Sequence, residues 1–174
     1  MLSPAGKIFA FLCKYPMSSF SYRELERRTG ISIGTVSRYV KELESVGLVT
    51  TRDVANAILV SARTDNEDFV HLKRARNLES LYTSGLVQFL VESLRPDSLV
   101  VFGSYSLGED LEESDIDIAV IHGRDKDLDL STYEDELVRQ INLTRIKGMG
   151  CVSSEFKNSL ANGIVISGSL EVIC

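Results

Sequence analysis

Cysteine and histidine are scarce in this chain of 174 residues, which has three of the first and two of the second. Cys13, Cys151 and Cys174 are odd in number and widely spaced. That excludes a disulfide framework and leaves no pair placed like metal ligands. His71 has one other histidine in the chain for company, so no histidine ligand cluster is expected and it reads as a surface residue. Long hydrophobic runs are also missing: "LVVF" and "IAVI" fall far short of the roughly 20 apolar residues of a membrane span. "IFAFLC" is short, lies between Lys7 and Lys14 and has no small-residue cleavage site after it, so no signal peptide and a cytoplasmic location are expected. What remains is ordinary globular composition, 44% hydrophobic and 25% charged, enough for one large domain or two small ones.

The net charge of −6 conceals an asymmetry. Residues 1–64 carry a balance of +4 and the remainder −10. A basic first part joined to an acidic second part suggests two domains with different partners, nucleic acid for the first and metal-bound anions for the second. The expected boundaries are 1–64, a helical connector over 65–95, and 96–174.

"SYRELERRTGISIGTVSRYVKELESVGLVT" holds two helical patterns around a tight turn. Ser21 is placed to cap the first helix and Gly30 to close it in the left-handed conformation. Ser32 is placed to cap the second, where Ile33, Val36, Val40 and Leu43 recur at helical spacing as a buried stripe. The other face offers Ser32, Thr35, Ser37, Arg38 and Lys41, short polar or basic groups that reach base edges and phosphates from a recognition helix. The competing reading is a solvated face on a small helical bundle. "GLVTTRDVANAILVSA" then reads as strand, turn around Asn56, and strand. This order of elements resembles the winged-helix DNA-binding domain, which implies double-stranded DNA as partner and, by analogy with paired half-sites, a homodimer. Winged helices also serve as protein-docking modules.

Residues 66–94 show helical periodicity through Phe69, Leu72, Leu78, Leu81, Leu86, Phe89 and Leu90, with a break at Thr83-Ser84-Gly85. Leu99 to Phe102 is a short apolar run, hence a buried strand, followed directly by Gly103-Ser104. A glycine there lets a phosphate approach the backbone, and a serine adds a hydroxyl donor beside free N–H groups at a helix start. Ten residues later Asp115-Ile116-Asp117-Ile118 enters another strand. Residues two apart in a strand share a face, so both carboxylates project together while Ile116 and Ile118 turn to the core. Paired carboxylates are the hard-oxygen ligands that Mg2+ prefers, with other positions left to water and substrate phosphates. A lone Asp-x-Asp is more often an acidic outer face of a half-exposed strand; its combination with a preceding strand and Gly-Ser is far rarer.

"FGSYSLGEDLEESDIDIAVI" resembles the signature of the DNA polymerase β nucleotidyltransferase superfamily, in particular its minimal archaeal and bacterial members. Archaeal members with a winged helix in front are similar over the whole length. The resemblance implies an α+β chain: a winged helix-turn-helix, then a small nucleotidyltransferase fold with a mixed β-sheet flanked by helices. It implies ATP or another NTP held through its phosphates by Gly103 and Ser104, and Mg2+ or Mn2+ held by Asp115 and Asp117. The implied reaction passes a nucleotidyl group, AMP from ATP, to an acceptor hydroxyl, with a protein among the candidate acceptors. Superfamily enzymes add a third carboxylate on a later strand. The strand expected here is "RQINLTRI", and the aligned position holds Asn142, a weak neutral ligand that cannot act as a base. Catalysis is therefore in doubt, and the competing function is a DNA-binding regulator whose second domain binds nucleotide with little or no turnover. Glu134, Asp135 and Glu136 read as a solvated acidic helix face. "SSEFKNSLANG" reads as a helix capped by Ser153 or Ser154 and ended by Gly163, and "IVISGSLEVI" as a closing strand.

Overall fold

The computed structural model describes residues 3–148, 150 and 152–170. The chain divides into two compact units, Met1–Arg76 and Asn77–Cys174.

In the first unit, helix α1 (Pro4–Lys14) is followed by the short strand β1 (Ser19–Ser21) and helix α2 (Tyr22–Thr29). The Ser21 side chain accepts from the Glu24 N–H, and Glu24 accepts from the Ser21 N–H at 2.7 Å, a reciprocal cap. Those hydrogen bonds from Ser21 hold the Glu24 carboxyl below its ordinary pKa. Gly30 ends α2 at φ 69°, as expected. Helix α3 (Ile33–Ser45) starts differently from expectation: Ser32 precedes it but makes no side-chain cap. Its hydroxyl donates instead to Thr35 Oγ1, and the Ile33 N–H donates to Glu26 Oε1 of α2 at 2.9 Å. Glu26 thus satisfies the first of the free N–H groups at the start of α3.

Val36, Val40 and Leu43 are buried, whereas Ile33 is 42% exposed. At 3.6 residues per turn Ile33 stands about 50° from the centre of that stripe, at its edge and in the first turn. Strands β2 (Val49–Val54) and β3 (Ala57–Ala62) form the expected hairpin, and the sheet runs β1-β3-β2, all antiparallel. Ile8, Leu12, Leu25, Val36, Val40 and Val60 make the core of this unit.

Helix α4 (Glu67–Thr83) carries the chain into the second unit and α5 (Leu86–Leu94) follows after Gly85. On α4 the buried positions recur every four residues, at Phe69, Lys73, Asn77 and Leu81. Leu72 lies off that line and is 45% exposed, contrary to the leucine pattern. Polar side chains fill two of the four buried places, so apolar spacing alone misjudges the face.

The second unit is built on β4 (Ser98–Phe102), α6 (Gly103–Leu107), β5 (Ile116–Ile121), α7 (Ser131–Leu137), β6 (Ile141–Ile146), α8 (Ser154–Ala161) and β7 (Ile164–Gly168). Its sheet runs β6-β5-β4-β7, with β5 parallel to β6 and the other neighbours antiparallel. One face, with Leu99, Val101, Ile116 and Ile118, packs on Leu86 and Leu90 of α5 and Leu137 of α7. The other, with Val100, Phe102 and Ala119, packs on Leu160 and Phe156 of α8. The fold is α+β, a mixed sheet with helices on both faces. Ser153 caps α8 by accepting from the Phe156 N–H. Gly163 follows Asn162, the residue that ends this helix. Its demand for glycine comes from β4, because a Cβ there would lie 2.7 Å from the Val101 carbonyl oxygen. Among the described residues, no helix is long and apolar enough to cross a membrane.

Candidate active site and nucleic-acid interface

The buried strand β4 delivers the chain to Gly103 at φ 71°, a conformation that costs a residue with a side chain. Space demands glycine as well, since a Cβ at Gly103 would stand 3.0 Å from Asp117 Oδ2. Gly103 and half-buried Ser104 open the short helix α6, which Gly108 closes at φ 79°. The close approach of Gly103 to Asp117 follows from register: Phe102 pairs with Asp117 across β4 and β5. Asp115 lies one residue before β5, and Asp117 is the strand's second residue.

On the other side of Asp117, the parallel register of β5 and β6 sets Asn142 opposite it. Asn142 Nδ2 donates to Asp115 Oδ2 at 2.8 Å and, more weakly, to Asp117 Oδ1 at 3.4 Å. Three strand ends thus bring Gly103, Asp115, Asp117 and Asn142 to one place. Asn142 and Asp115 are exposed and Asp117 is half-buried.

A buried polar network fixes the loop between α6 and β5. Asp110 accepts from Asn77 Nδ2 at 2.7 Å and from the Arg139 guanidinium at 3.0 Å, with both members of the ion pair almost fully buried. Asn77 Nδ2 also donates to the Tyr105 carbonyl at 2.9 Å. Helix α4, helix α6 and the entry to β6 are therefore tied to one carboxylate five residues before Asp115. Sequence reasoning missed these residues: within "GEDLEESD" nothing distinguishes the buried aspartate from its solvated neighbours. Glu134 departs from expectation too, since Glu134 Oε1 accepts from the Ile141 N–H at 2.9 Å and holds the first residue of β6 in place. Asp135 and Glu136 are exposed, as a solvated face requires. A cleft of about 340 Å³ opens beside Asp115, bounded by Glu112, Glu113, Glu134 and Asp135.

The donor set suits one hard cation: two carboxylates with an amide beside them and open access to solvent. Among the described residues no group of three or more aspartate, glutamate, histidine or cysteine side chains is arranged to hold a metal. A second ion has no third carboxylate here.

In the first unit, Ser32, Arg38 and Lys41 are exposed along α3, whereas Thr35 and Ser37 are half-buried. Thr35 Oγ1 is engaged by Ser32, and the Ser37 hydroxyl hydrogen-bonds the Tyr22 phenol, whose pKa burial raises. Arg38 lies over the Tyr39 ring at 4.5 Å. Glu44 of α3 accepts from both the Thr51 N–H and hydroxyl, at 2.9 and 2.7 Å, which fastens the β2–β3 wing to this helix.

A mixed sheet that presents a glycine turn beside paired aspartates, carried behind a helix-turn-helix with a β-hairpin, defines the class. Residues 84–160 are a nucleotidyltransferase domain, and residues 20–50 match the winged helix-turn-helix DNA-binding family. The chain is a fusion of the two. Comparison with curated proteins and with solved structures returns no match.

Proposed function

We propose that the second unit transfers a nucleotidyl group, AMP from ATP, to an acceptor hydroxyl, a protein side chain among the candidates, while the winged helix holds double-stranded DNA. The observation that carries this reading is the close approach of Gly103 to Asp117, where a Cβ would stand 3.0 Å from Oδ2 at a φ of 71° that glycine adopts at little cost.

In this reading the backbone at Gly103 and the Ser104 hydroxyl bind the β- and γ-phosphates. Asp115 and Asp117 hold a divalent cation, Mg2+ or Mn2+, which would polarise the α-phosphate and neutralise the departing pyrophosphate. The acceptor oxygen forms a bond to the α-phosphorus while the bond from that phosphorus to the bridging oxygen breaks, in line. Asn142 cannot take the acceptor's proton, so the proton is left to solvent in the open cleft beside Asp115. Without a dedicated base, slow turnover is expected. Arg38 and Lys41 supply phosphate contacts on DNA, and two copies on a two-fold site would suit the winged helix.

The test is transfer of label from α-labelled ATP with Mg2+. The reading expects transfer that the Asp115→Ala, Asp117→Ala double variant abolishes; transfer that survives the double variant contradicts it. Asn142 favours a second reading, a regulator that binds nucleotide without turning it over. That reading expects metal-dependent nucleotide binding in the same protein with no transfer.

A further inference from the structure

We propose that the Asn142 carboxamide is a two-position switch: its amino group holds Asp115 and Asp117 together, and its carbonyl oxygen turns to them when a divalent cation enters. This rests on the nucleotidyl-transfer reading, since it takes the aspartate pair as the cation site.

Asp115 and Asp117 carry the same charge on one strand face, and like charges so placed repel. Asn142 Nδ2 donates to both, so the amide supplies the positive edge that a cation would otherwise supply. That same edge opposes a cation. A carboxamide presents donors on one branch and an acceptor on the other, and a half-turn about its Cβ–Cγ bond exchanges them.

Everything around Asn142 favours movement of the side chain alone. Its backbone is fixed by the parallel pairing with Asp117, and the preceding Ile141 N–H is held by Glu134. Asn142 is exposed and lies on the edge strand of the sheet, which leaves its side chain room for the half-turn. An aspartate at the same position has no donor position at all. It would leave three carboxylates together that only a cation could reconcile, with tighter metal binding at the cost of stability without metal. Removal of the amide takes away both positions at once.

The experiment uses the full chain, without nucleotide, as wild type, Asn142→Asp and Asn142→Ala. Mn2+ is the probe: its free-ion paramagnetic signal gives the dissociation constant, and melting in chelator gives the stability of the metal-free protein. In chelator both variants are expected to melt below wild type, Asn142→Asp lowest. Asn142→Asp is expected to bind Mn2+ about tenfold more tightly or better, because ligand charge sets the affinity of such sites. Asn142→Ala is expected to bind more weakly than wild type. If Asn142→Ala melts and binds Mn2+ as wild type does, the amide is idle and the proposal is overturned. If Asn142→Ala binds Mn2+ more tightly than wild type, the amide is a fixed plug; the switch is overturned while the aspartate site stands. If no protein binds Mn2+, the metal reading itself fails and takes the switch with it.

Discussion

Asn142 faces Asp117 across the parallel strands β5 and β6, and its amide nitrogen reaches Asp117 at 3.4 Å and Asp115 at 2.8 Å. One amide is thus bonded to both members of the aspartate pair.

Gly103→Ala combines a positive φ with a Cβ 3.0 Å from Asp117 Oδ2. The backbone strain alone costs about 1 kcal/mol, and the contact adds to it by pushing the carboxylate aside. Urea denaturation should show a midpoint shifted down with an unchanged slope. Nucleotide binding should fall by more than the small loss of folded protein accounts for. A variant that binds nucleotide as wild type does would remove the close approach from the account.

The Asp110 to Arg139 pair is buried on both sides, and Asp110 also takes the Asn77 bond. Asp110→Ala takes from the buried Arg139 guanidinium the carboxylate it pairs with, so it should destabilise the second unit by about 3–5 kcal/mol. Chemical denaturation followed by a probe in that unit measures it.

Sequence patterns revealed elements better than they revealed polar interiors. The Gly103 turn, the shared face of the aspartates and the Ser21 cap follow from local rules, since each depends on neighbours a few residues away. The network of Asn77, Asp110 and Arg139 joins residues 29 and 33 positions apart, and no spacing announces it. Ile33 and Leu72 show the complementary failure: both fit an apolar period, yet each lies off the buried line of its helix. Ser32 looked like the cap of α3, but its hydroxyl donates to Thr35, and Glu26, seven residues before Ile33, accepts from the first N–H of the helix.

Glu24 has its pKa lowered by hydrogen bonds from Ser21. A depressed carboxyl pKa contributes stability that is present above the ordinary value near 4.5 and is lost as pH falls through the lower folded value. Wild type should therefore lose stability below pH 4.5 more steeply than Glu24→Gln, whose neutral amide does not titrate. The difference should be small, because this carboxyl is close to water. Melting curves of the two proteins across that range test the sign.

Arg38 and Lys41 are exposed on α3, the helix that the wing is fastened to through Glu44. Arg38→Ala should weaken duplex DNA binding and flatten its salt dependence by about one unit in the logarithmic slope, the signature of one lost phosphate contact. Fluorescence anisotropy at several salt concentrations reads both quantities. Affinity indifferent to salt and to Arg38 would exclude this mode of binding.

The most direct measurement is a calorimetric titration with a non-hydrolysable ATP analogue, with and without Mg2+, on wild type and on the Asp115→Ala, Asp117→Ala double variant. The account predicts metal-dependent binding to wild type that the double variant loses. Absence of binding to wild type, or equal binding to both proteins, would contradict it.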